Sequence, residues 1–139
     1  MCLAVHFLHN EKEHTPYFPN PYATLPIINK NGGITLLPWG RRLSQTGNLP
    51  LGGWARLESI KENKWQKYFA RPVKLPILRF AEKDLEGKTH WFDLQGGQYV
   101  QGLVARYDQE VRVYIVTITP NEPDAIHDRW PRILSVPNY

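Results

Sequence analysis

The sequence begins MCLAVHF, and Cys2 is the only cysteine among the 139 residues. Removal of Met1, which a small second residue favours, would leave a free α-amino group and a thiol on the same residue. Such a 1,2-aminothiol does what an internal cysteine cannot: its amine condenses with an aldehyde to an imine, and its thiol then closes a five-membered thiazolidine. Both groups suit neutral pH, since an α-amino group titrates near ~7.7–8.0 and a free thiol near ~8.5. The competing reading is a small apolar residue that opens a strand.

Two further residues have acid–base potential. His127, in IHDRWPRIL, follows a strand end and a loop, the usual address of functional residues on a rigid scaffold. Its ordinary pKa near ~6.5 suits a proton carrier; a solvated loop histidine is the alternative. Glu82, in FAEK, lies near a strand end where Phe80 could partly desolvate it, and burial raises a carboxyl pKa into the range of acid–base work. The alternative is a surface glutamate beside Lys83.

Other chemistries find less support. NGG and LGGW lack the spacing and the following lysine of a phosphate-binding loop. His6, His9 and His14 lie close together but without a carboxylate pattern, so they read as surface or core histidines. A single cysteine excludes an intramolecular disulfide and a multi-cysteine metal site, and it fits a reducing cytoplasm. Neither a metal nor a cofactor is expected.

The elements that must position these residues are mostly strands. Twelve prolines and ten glycines argue against a helical bundle. CLAVHFL reads as a first strand, 14–26 as an ordered aromatic coil, and 27–39 as a hairpin about NKNGG. Residues 41–53 read as a polar surface loop, with Arg41 and Arg42 solvated. The best helix candidate is 55–69. A strand is expected over 73–83, with Pro76 marking an edge or bulge, and 90–94 is expected to pair with 98–108 across QGGQ. VRVYIVTITP (111–120) alternates cleanly and is the firmest strand. A loop over 121–131 and a last strand in RILSV complete the chain. The expected class is α+β: one domain over 1–139, dominated by antiparallel strands in a barrel-like sheet, with one or two short helices. No apolar run is long enough for a transmembrane helix, and the first residues lack the layout of a secretory signal. The formal charge of +4 admits an anionic partner.

These pieces fall in an order that resembles the SRAP family (SOS response-associated peptidase). Met1-Cys2 is similar to the family's Met-Cys start, and LPWG, with Trp39 and Gly40, to its tryptophan–glycine pair after a strand. WARLES resembles the family's Asn-Ala-Arg-x-Glu-Thr motif and supplies Arg56 and Glu58. LPILRFAEK looks like the proline-containing strand that carries the family's glutamate, at Glu82. HDRWP is similar to His-x-Arg-Met-Pro and aligns His127, Arg129 and Pro131. The order of all five motifs, from residue 1 to about 134, carries the resemblance. Trp54 stands where the motif has asparagine, and Ala4 where the family start has arginine.

The resemblance implies a DNA-damage protein that captures abasic sites in single-stranded DNA. Its Cys2 amine would attack C1′ of the ring-opened sugar and its thiol would close the ring, with an AP-lyase step as an option. Glu82 and His127 would move protons. Arg56 and Arg129 would anchor phosphates, and Trp39, Trp54 and Trp130 would stack on bases, with core packing the alternative for the tryptophans. The implied protein is a cytoplasmic monomer with single-stranded DNA as partner and no membrane association. Two other readings stay open: a peptidase-like autoprocessing enzyme using Cys2 and His127, and a non-catalytic single-strand binder.

Overall fold

The computed structural model describes residues 2–120 and 129–136. The class is α+β, built on antiparallel strands in a curled half-barrel with one short helix. In chain order, β1 (Ala4–His9), β2 (Lys12–His14), β3 (Thr24–Ile28) and β4 (Ile34–Pro38) precede the loop 41–53. Then come β5 (Trp54–Arg56), α1 (Leu57–Lys61), a 3₁₀ turn (Gln66–Tyr68), β6 (Arg71–Leu75), β7 (Arg79–Lys83) and β8 (Thr89–Asp93). The long hairpin β9 (Gln98–Tyr107) and β10 (Glu110–Ile118) follows, with β11 (Trp130–Pro131) and β12 (Ile133–Ser135) after it.

One sheet runs β2-β1-β7-β8, all antiparallel. A second is centred on β9 and β10 and takes β6 antiparallel onto β9 and β5 parallel onto β10. β3 and β4 pair only with each other. The β9–β10 ladder runs from Tyr107↔Glu110 to Gly102↔Ile115 and then opens. Into that split comes the segment carrying β11 and β12. Arg132 N–H donates to the Val116 carbonyl at 2.8 Å, and the Arg132 carbonyl accepts from Gln101 N–H at 2.9 Å. Backbone groups that the opening exposes are thus satisfied by a third strand.

Alternation along β9 gives the second sheet two buried faces. Val100 and Val104 join Val73, Leu75, Val113 and Ile115 in the main core, which also holds Cys2, Val5, Phe7, Leu25, Trp39 and Phe80. Leu103 and Ala105 point the other way, into a smaller cluster with Leu49, Ala55, Trp65, Tyr114 and Val116.

Several local expectations need correction. The helix expected over 55–69 is only five residues long, Leu57–Lys61. β5 claims residues 54–56 for the parallel pairing with β10, and Asn63, at φ 62°, turns left-handed and prevents continuation. The strand expected over 73–83 is two strands in different sheets, separated at 76–78, where Pro76 has no N–H for a ladder. β8 pairs with β7 rather than with β9. Arg41 and Arg42 are not solvated: Arg41 donates to the carbonyls of Gln45 and Leu49, and Arg42 to those of Phe18 and Trp39. Among the described residues no helix is long and apolar enough to cross a membrane.

Candidate functional site

Cys2 lies just ahead of β1, and its environment follows from how that strand is seated. Leu3 N–H donates to the Ala81 carbonyl at 2.8 Å, and Ala4 pairs with Ala81, so the start of the chain is stitched to β7. Cys2 therefore sits inside the main core with no exposed surface. Its thiol donates to the Ala4 carbonyl at 3.3 Å. On the other side, the Trp54 indole Nε1–H donates to the Cys2 carbonyl at 2.9 Å. The residue is thus held by its backbone and its side chain at once.

Glu82, on β7, is also fully buried. Phe80 lies two residues before it on the same side of the strand, so the expected desolvating neighbour is present, and a surface glutamate is not what the structure shows. Burial pushes the Cys2 thiol far above its ordinary value, and the negative charge of Glu82 pushes it further. At neutral pH the thiol is therefore protonated. The two residues are both buried and near enough for the charge of one to act on the other.

Trp54 is half-buried, stacks on Phe18 with ring centroids 4.8 Å apart, and faces Trp39 edge-on at 6.3 Å. This aromatic wall depends on Gly53. A Cβ there would lie 2.7 Å from the Phe18 ring and from Trp39 Nε1, so only glycine lets the chain pass behind both rings. Gly53 also supplies the carbonyl that accepts from Trp39 Nε1 at 3.0 Å.

The remaining candidates divide. Trp39 has no exposed surface, and Trp130 is buried edge-on against Phe80 and Phe92, each at 5.0 Å. Both are core residues, and neither presents a face on which a base could stack. Arg129 is buried as well. Its Nη1 donates to Glu58 Oε2 at 2.8 Å, its Nη2 to the Thr117 carbonyl at 2.6 Å, and its Nε to Thr117 Oγ1 at 3.3 Å. It clamps α1 and the segment leading to β11 onto β10, and its donors are committed within the protein rather than held out to a phosphate. Glu58, beside it, is held below the usual carboxylate range by that hydrogen bond. Arg56 is exposed at the end of β5, two residues beyond Trp54, and is the one proposed phosphate anchor that stands open to solvent. His127 lies outside the described residues.

One pair escaped the sequence reading. His90 Nε2–H donates to Asp84 Oδ2 at 2.8 Å across the turn that joins β7 and β8. Its signal was a histidine six residues after an aspartate with a glycine turn between them, too common a pattern to single out. Among the described residues no group of three or more histidine, cysteine, aspartate or glutamate side chains is arranged to hold a metal ion. His6 instead pairs its Nδ1 with Thr15 Oγ1 at 2.9 Å, and His14 stacks on Phe7.

No protein-family model, no curated protein and no solved structure matches this chain.

Proposed function

We propose that this chain captures an aldehyde, specifically the ring-opened abasic site of single-stranded DNA, through Cys2 once Met1 has been removed. The observation that carries the reading is that Cys2 and Glu82 are both buried and near enough for the charge of one to act on the other, with Trp54 holding the Cys2 carbonyl. The resemblance to SRAP proteins supplies the substrate class.

The geometry favours an order of events. A thiol kept protonated by burial and by a neighbouring carboxylate is a poor first nucleophile. The amine therefore attacks C1′, the carbinolamine loses water, and an imine forms. The sulfur then adds to the imine carbon while its proton passes to the nitrogen, so one water leaves in all and the ring is a thiazolidine. Glu82 takes the proton that the attacking amine sheds and returns it to the departing hydroxyl. The same environment weighs against the peptidase-like reading, which needs a thiolate at neutral pH. Arg56, at the rim, offers a guanidinium to the DNA backbone.

The test uses protein whose N-terminus is verified as Cys2, mixed with a single-stranded oligonucleotide carrying one abasic site. A heat-stable, slower band on a denaturing gel, absent with Cys2→Ala, is expected. No band from the verified protein with an intact abasic site overturns the reading in favour of a non-covalent single-strand binder.

A further inference from the structure

A sealed acid–base group has a practical difficulty: every proton it gives or takes must be exchanged with solvent before the next event. Glu82 has no exposed surface, so the route to water has to run through a neighbour. The β7–β8 ribbon supplies one. Phe80 pairs with Phe92 across the ribbon, and their rings stack at 5.5 Å on the core side. Two residues further along both strands, Glu82 is the cross-strand partner of His90. By the period-2 alternation of strands, their side chains share that same face. Directly opposed residues place their Cβ atoms about 4.5–5.5 Å apart, close enough for one water to join a carboxylate to an imidazole. Another step along, Asp84 accepts from His90 Nε2–H at 2.8 Å. The series thus passes from core to rim: Glu82 sealed, and His90 and Asp84 partly open, with side chains 38% and 23% exposed.

We propose that the Asp84–His90 pair is the proton port of the Cys2–Glu82 centre, with His90 carrying protons between the buried carboxyl and solvent. The idea rests on the aldehyde-capture reading and names a positioning and relay role that the reading lacks. The step balances simply. Protonated Glu82 releases its proton to His90 Nδ1, the imidazolium is neutralised by the Asp84 carboxylate on Nε2, and Nδ1 passes the proton to bulk water. Asp84 fixes the tautomer: its carboxyl is held below the ordinary range by the hydrogen bond from His90, so it accepts and Nε2 keeps the hydrogen. Among the described residues, the titratable or charged groups beside His90 on the ribbon include Asp84 and Lys88 at the turn and Glu82 and Lys83 on the facing strand. Arg129, next to Trp130, is turned away into Glu58 and Thr117.

The experiment measures capture rate against pH for the Cys2-terminated protein and for its His90→Gln and Asp84→Asn variants, with the abasic oligonucleotide and with a small aldehyde such as glyoxylate. Non-covalent affinity for an undamaged single strand is measured alongside. His90→Gln is expected to slow capture of both aldehydes by about 100-fold at neutral pH, to flatten the pH profile, to leave single-strand affinity unchanged, and to recover with added imidazole. Asp84→Asn is expected to slow capture less while keeping the profile's shape. Profiles that superimpose on the parent's overturn the port and leave the aldehyde chemistry standing. A parent protein that forms no adduct with either aldehyde overturns both.

Discussion

The carboxylate of Glu82 and the thiol of Cys2 are both fully buried, and burial first, then the charge of Glu82, holds the proton on the thiol. Glu82→Gln removes that charge with little change of volume. The thiol should then ionise at lower pH, so alkylation of the unfolded-protected native protein accelerates at any fixed alkaline pH. Capture of the abasic site should slow by about 100-fold. Opposite signs for the two rates would separate an acid–base role from a general loss of structure.

Trp54 makes a polar contact through its indole Nε1–H, to the Cys2 carbonyl. Trp54→Phe keeps a ring against Phe18 and deletes only the donor. It should cost about 0.5–1.5 kcal/mol of stability, measured by urea denaturation, and should reduce the rate of capture without weakening single-strand affinity.

The two arginines of the sequence reading should behave differently. Arg56→Ala removes an exposed cation and should lower the salt slope of single-strand binding by about 1, with stability unchanged. Arg129→Ala strips the partners of Glu58 and Thr117 and should destabilise by about 1.5–3 kcal/mol, the range for hydrogen bonds to charged groups, with the salt slope intact.

Three carboxylates should shape the acid limb of stability. Glu58 is held below its ordinary 4.5 by Arg129, and Asp84 below 3.8 by His90. For Glu110, burial opposes ionisation, but Arg112 and the N–H groups of Asn48 and Leu49 outweigh it and keep the carboxyl below 4.5. A carboxyl whose folded pKa lies below its unfolded one contributes fully above the unfolded value and loses that contribution as pH falls through the folded one. Denaturation midpoints should therefore hold steady above about pH 5 and fall below about pH 4. Glu110→Gln should lower stability at neutral pH and make the acid limb shallower.

Gly53→Ala should destabilise by about 1–3 kcal/mol, the usual cost of forcing atoms into a packed site, because its methyl would meet Phe18 and Trp39 at once. Near-ultraviolet circular dichroism should report the disturbed tryptophans, and capture by Cys2 should fall with them.

What the sequence revealed was what local pattern controls. β10 and the β3–β4 hairpin were legible because alternation and an Asn-Gly-Gly turn are short-range signals. The burial of Glu82 was partly legible because Phe80 lies two positions away on the same strand face. Pairing partners were not legible. β8 joins β7 through a short turn that competed with QGGQ on equal terms, and Ala55 and Arg56 read as the start of a helix until β10 takes them as a parallel neighbour. The fates of Trp39, Trp130 and Arg129 depend on burial, which is set by residues far along the chain. An arginine that clamps and an arginine that waits for a phosphate look alike in a string of letters.

The split between β9 and β10 bears on how the protein is made. A nascent chain that has emerged only through β10 holds two long strands that zip at Tyr107–Glu110 and gape beyond Gly102 and Ile115. The edges facing that gap, at Gln101 and Val116, have no partner within the hairpin and can close only when Arg132 arrives. Until then they are a template for any other extended chain nearby. Early release or slow delivery of residues 130–135 would thus expose a sticky intermediate, and the yield of native protein would follow the arrival of that segment rather than the strength of the hairpin.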